Sequence, residues 1–257
     1  MLCAAKARRH WWCAPKVCAR RALVSVVSGL AVSIAGMAGA NVIDATYGDP
    51  TTRYQHGVLG DDVEYGSLVL TVATTNGVAA PLIITLPEDR VFEDLAPRLV
   101  DVDQDGDFEV VVIETAAAFG AQLAIYDETG EKIAATPHIG RSYRWLAPVG
   151  AADLDGDGFV ELAYVDRPHL AKTLRVWRFL EGGLEEVASA PGLTNHRIGE
   201  EFITSGIRDC ADGPEMITVD ARWRNVIASR LRGDQIESRK VASFWGPETV
   251  SQILNCE

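Results

Sequence analysis

From residue 41 onward the apolar positions fall into short, β-branched runs separated by Gly, Asn and Asp, a spacing that predicts strands and no long helix. Four segments read as strand, tight turn, strand. Residues 67–73 and 81–87 flank Thr75-Asn76-Gly77, and 122–127 and 132–136 flank Thr129-Gly130. Residues 173–179 and 184–188 flank Glu181-Gly182-Gly183, and 225–231 and 235–243 flank Arg232-Gly233-Asp234. Glycine in each turn supplies the positive φ that tight hairpins need. Between the hairpins lie three more apolar runs, 110–114, 162–166 and 216–220, without polar alternation, as expected of strands covered on both faces.

The turn glycines stand at 77, 130, 182 and 233, so the pattern repeats every 51–53 residues. A period near fifty with several short strands per unit predicts an all-β chain folded as a small β-propeller. A β-sandwich also has short strands but gives no reason for connectors to repeat in step. Four blades are expected, five being the alternative, with repeat units at approximately 67–94, 95–145, 146–198 and 199–257 of a single 41–257 domain. The first hairpin lacks a preceding inner strand. It can come from 41–66 or from 249–254, and the second choice would close the ring by pairing the chain ends.

Two of the apolar runs follow acidic loops. Residues 101–109 read DVDQDGDFE and 153–161 read DLDGDGFVE, both of the form D-x-D-x-D-G-x-x-E and offset by 52 residues. Carboxylates at positions 1, 3 and 5 converge if the backbone curls, Gly at 6 permits the turn, position 7 offers a carbonyl, and the acid at 9 closes the shell. Such a hard-oxygen shell suits Ca²⁺ better than Mg²⁺. The expected ligands are Asp101, Asp103, Asp105, Asp107 and Glu109 in one loop, and Asp153, Asp155, Asp157, Phe159 and Glu161 in the other, giving two Ca²⁺ sites. Solvated Asp/Gly turns are the plainer alternative. A third loop, 208–215, is one residue short between its Gly and its acid and is expected to bind no metal.

The two loops, each followed by an apolar strand, resemble the FG-GAP/VCBS-type repeats of calcium-binding β-propellers, over roughly residues 95–220. The whole chain is similar to small exported bacterial VCBS-repeat proteins. That resemblance implies calcium as a structural ion and a periplasmic or exterior location. With fewer repeats and a damaged third loop, the chain departs from the larger relatives, so their seven blades are not carried over.

The N-terminus agrees with export. Residues 1–21 carry six basic residues and no acid, 22–38 are uncharged and apolar or small, and Ala38-Gly39-Ala40 has the A-x-A form of a cleavage site. A secretory signal peptide over 1–40, cut after Ala40, is expected, an uncleaved anchor being the alternative. Arg20-Arg21 is compatible with twin-arginine export. With those six cations removed, 18 Lys and Arg face 36 Asp and Glu, a net charge of −18. Such a surface repels phosphate backbones, so no nucleic-acid partner is expected, nor a membrane span after cleavage, and a monomer is. Cys210 and Cys256 remain in an oxidising compartment and are expected to form a disulfide, two free thiols being the alternative.

No nucleophile elbow, zinc helix, phosphate loop or redox C-x-x-C occurs, and no catalytic residue is assigned. His138, Arg141, Arg144, Trp145, His196 and Arg197 lie in connectors that meet around one face of a propeller, where they would suit an anionic ligand or a sugar acid. The plainer alternative is ordinary connector hydrogen bonding. The reading is therefore a calcium-stabilised scaffold that binds a protein or glycan, more a binder than an enzyme. Its alternative is a periplasmic hydrolase or lyase acting on a saccharide or phosphate ester through the connector His and Arg.

Overall fold

A computed structural model describes residues 40–74, 77–181, 183–210 and 212–256. Residues 1–39, on which the expected signal peptide falls, lie outside the described residues. The chain begins with β1 (Asn41–Thr51), which pairs antiparallel with β2 (Glu64–Ala73); β2 turns into β3 (Ala79–Thr85). So the first hairpin takes its extra strand from the 41–66 side. On β3, Ile83 stays 62% exposed.

Three antiparallel meanders follow. The first is β4 (Arg90–Phe92), β5 (Arg98–Val100), β6 (Glu109–Ala116), β7 (Gly120–Tyr126) and β8 (Lys132–Ala135). β4 and β5 both pair with β6, as two halves of one interrupted strand. The second is β9 (Leu146–Ala152), β10 (Glu161–Asp166), β11 (Thr173–Leu180) and β12 (Gly183–Pro191). The third is β13 (Leu193–Thr194), β14 (Gly206–Asp209), β15 (Pro214–Asp220), β16 (Asn225–Arg232) and β17 (Gln235–Ser243), with β13 and β14 sharing β15 as partner. Because Phe92 of β4 also pairs with Tyr65 of β2, hydrogen bonding joins β1–β8 into one sheet of eight strands. The fold is all-β with curled sheets, consistent with a propeller-like arrangement. No helix among the described residues is long and apolar enough to cross a membrane.

The inner strands show why their sequences lack alternation. Every residue of β6 and of β10 is buried. Successive side chains of a strand point to opposite faces. Val110 and Val112 of β6 therefore pack with Leu68, Leu70 and Phe92, while Val111 and Ile113 pack with Leu162 and Tyr164 of the next meander. On β10, Ala163 and Val165 turn the other way, toward Met216 and Leu231. Each inner strand is thus sandwiched between its neighbours.

At the C-terminus, residues 249–254, the other candidate for the missing strand, do not form one. Those residues belong to an α-helix, α1 (Pro247–Leu254), so they pair with no strand and close no ring. Pro247 sits in the first turn, where its missing N–H costs nothing, and Glu248 follows at the positive end of the helix. Val250, 2% exposed, packs with Ile217, Val219, Val226 and Ala228. The helix therefore covers the face of β15 and β16 turned away from the second meander.

Candidate metal centre

Each acidic loop joins the first strand of a meander to its inner strand, so strand pairing fixes both ends of the loop. In loop 101–109, Asp101, Asp103 and Glu109 each place a carboxylate oxygen within 4.8 Å of the others; Asp153, Asp155 and Glu161 do the same in loop 153–161. Positions 1, 3 and 9 of the motif thus converge, and Asp105, Asp107, Asp157 and Phe159 stand outside those two trios. The curl is held by the carboxylates themselves. Asp101 Oδ2 accepts the Gly106 amide at 3.1 Å, Asp153 Oδ2 the Gly158 amide at 3.0 Å. Gly106 and Gly158 sit at φ +98 and +89, where a side chain would be strained. Glu109 Oε2 takes the Val102 amide and Glu161 Oε2 the Leu154 amide, both at 2.8 Å.

The trio of the first loop contains no cation of its own: among the described residues no ion pair reaches Asp101, Asp103, Asp105, Asp107 or Glu109. Asp101 Oδ1 is buried without a hydrogen-bond partner, a costly state for a carboxylate oxygen. Burial, with repulsion from Asp103, Asp105 and Asp101, pushes the Glu109 carboxyl up to about 7 against the pull of the Val102 amide. An all-oxygen donor set with an orphaned oxygen fits a hard divalent cation. The second loop differs. Asp155 Oδ1 is likewise orphaned, but the Arg178 guanidinium lies among the other carboxylate oxygens. The two loops touch, Gln104 Nε2 donating to the Gly158 carbonyl at 3.2 Å.

Residues 96–164 match the model of the FG-GAP-like repeat.

No curated protein matches the chain. The FG-GAP-like stretch takes in both complete acidic loops and stops within β10; the third loop lies beyond it. There Glu215, which ends the loop, is enclosed by arginines. Arg208 Nη2 reaches Oε2 at 2.7 Å, and Arg230 Nε and Arg239 Nη2 reach Oε1 at 2.8 and 2.6 Å. Burial alone would raise this carboxyl; the bonds to Arg208 and Arg230 bring it below the ordinary range. The neighbouring Cys210 is bonded to Cys256 as expected, with Cα atoms 5.7 Å apart.

On the opposite rim the six connector residues do not share one pocket. Arg144 and Trp145 line a cavity of about 230 Å³ with His56, Tyr143, Arg167 and His169. His138 lies in a separate cavity beside Tyr164 and Asp166. Arg197 stacks over Trp223 at 4.1 Å, on the third meander. His196 is buried against Trp145 and touches His169, Nδ1 to Nε2, at 3.0 Å. For Arg141 the described contact is a backbone one, its amide to the Phe119 carbonyl at 2.9 Å. Sequence reasoning passed over His56, Arg167 and His169. His56 pairs with the fully buried Glu93, which also accepts the Thr115 hydroxyl at 2.5 Å. Burial lowers His169 to about 4, so this imidazole is neutral near pH 7. Arg167 is doubly bonded to Asp166 at 2.8 and 2.9 Å, which leaves Arg144 as the cavity's cation without a carboxylate partner among the described residues.

Proposed function

We propose that the protein is an exported, calcium-stabilised propeller of FG-GAP/VCBS type that serves as a binding scaffold for a protein or glycan. The observation that carries the calcium reading is loop 101–109, where three carboxylates converge around a buried, unpartnered oxygen with no internal counter-ion. Asp101, Asp103 and Glu109 would hold the ion, and the ion would cancel their mutual repulsion. Export is supported by the basic and apolar N-terminal sequence and by the disulfide. At ~1 mM Ca²⁺ and a Kd of ~0.1 mM, one site adds about 1.4 kcal/mol. In differential scanning calorimetry, 1 mM Ca²⁺ should raise Tm by about 3–6 °C over the chelated protein, and Asp103→Asn should remove most of that rise. Equal Tm values with calcium and with chelator would defeat the reading.

The scaffold reading outranks a hydrolase because the cavity on the other rim is lined by His, Arg and aromatic groups, without an acid/base carboxylate pair. Its lining suits a small anion such as a sugar acid: Arg144 for the carboxylate, the exposed Tyr143 for the ring. Thermal-shift titration with glucuronate is expected to stabilise the wild type, and Arg144→Ala is expected to abolish that response. The same shift in both proteins would remove Arg144 from the site.

A further inference from the structure

The acidic loops differ at the position directly across the strand pair from the closing Glu. In the second meander the register sets Glu161 opposite Arg178. One step beyond the paired stretch of the third meander, the same position opposite Glu215 is Arg230; in the first, opposite Glu109, it is Asp127. So the fold offers one location for a side chain that reaches under the loop, and the sequence fills it with Asp, Arg and Arg in turn.

Arg178 uses that location fully. Its Nε donates to Glu161 Oε1 at 2.6 Å, Nη2 to Asp155 Oδ2 at 2.8 Å, and Nη1 lies 2.8 Å from Asp157 Oδ2. Three of the four acids of the motif are thereby bonded to one guanidinium, whose face lies 6.0 Å from the Phe159 ring centre. A cation entering this loop must displace two charge-assisted hydrogen bonds and an ion pair from a side chain only 18% exposed. In the first loop no cation among the described residues needs displacing. Asp127 spends its Oδ1 on the amides of Thr129 and Glu131, each at 2.9 Å, within its own turn.

We propose that Arg178 is a built-in counter-ion standing in for the metal of loop 153–161, so that the protein binds one Ca²⁺, at loop 101–109, and not two. On this view Arg230 completes the same replacement in the third loop, where Glu215 closes on arginines alone. The proposal rests on the calcium reading above and divides its two loops.

Calorimetric titration of the whole protein with CaCl₂ tests both and separates them. The expected stoichiometry is one, abolished by Asp103→Asn and unchanged by Asp155→Asn, and Arg178→Gln is expected to raise it to two. If the wild type binds two ions and each Asn variant loses one, calcium stands and the counter-ion role is overturned. A single ion lost with Asp155→Asn overturns the assignment, and so does an Arg178→Gln protein that folds yet still binds one. No binding in any variant defeats the calcium reading itself, and the proposal with it. Should Arg178→Gln fail to fold, the two Asn variants still decide which loop is occupied.

Discussion

Glu215→Ala should lower the free energy of unfolding by about 3–5 kcal/mol, the range for removing one partner of a buried charge cluster. The carboxylate is 4% exposed and is the common acceptor for Arg208, Arg230 and Arg239, of which Arg208 is itself only 12% exposed. Its loss would leave like charges crowded at the start of β15 with little water to screen them. Arg239, 55% exposed, adds little to the cost because solvent screens it. Urea unfolding followed by tryptophan fluorescence measures the change. A loss below 1 kcal/mol would show that the arginines find water as readily as they find Glu215. The companion Arg239→Ala should stay within about 1 kcal/mol of wild type, which separates the buried pairs from the exposed one.

The second large effect concerns the disulfide. Cys210 and Cys256 are separated by 46 residues, and a bridge closing such a loop contributes about 4 kcal/mol in the chain-entropy model, 2–5 in practice. The Cys210→Ser, Cys256→Ser double variant should lose stability in that range, and dithiothreitol should lower the wild-type Tm while leaving the variant unchanged. The loss should begin at α1. Apart from the bridge, the helix is held by Val250 in its apolar seat and by Arg208 Nη1 donating to the Ile253 carbonyl at 3.0 Å. Amide exchange in 247–254 should accelerate more in the variant than exchange in β10. Uniform acceleration across the chain would place the bridge's effect entirely in the unfolded state.

What the sequence made legible follows from local physics. Continuous apolar runs gave β6, β10 and β15, because strands covered on both faces need no polar positions. Glycine turns gave all four hairpins. The spacing of Asp and Gly gave both acidic loops, since that chemistry is written within nine residues. The first strands of the meanders were not legible. β4 and β5 are three residues each, β13 and β14 two and four, each pair an interrupted strand, and β9 carries Pro148 at a register shift. Residues 249–254 stood open as a strand for another reason: Thr249, Val250 and Ile253 favour strands, and burial against β15 and β16 decides for helix. Arg178, His56 and Glu93 act through partners far along the chain, so no spacing rule reaches them. A signal for Arg178 did exist. Aligning the repeats through the closing Glu shows a basic residue across from two of the three.

The unpaired sides of β3 and β17 bear on how copies of the chain meet one another. β17 presents Glu237, Arg239 and Lys240, exposed charges that discourage another strand from adding to it. β3, reading AAPLIIT, carries no charge at all; Pro81 removes one backbone donor, and Ile83 stands open to solvent. Self-association through strand addition would therefore start at β3, the side of the molecule opposite in sequence to the end that α1 and its disulfide close off.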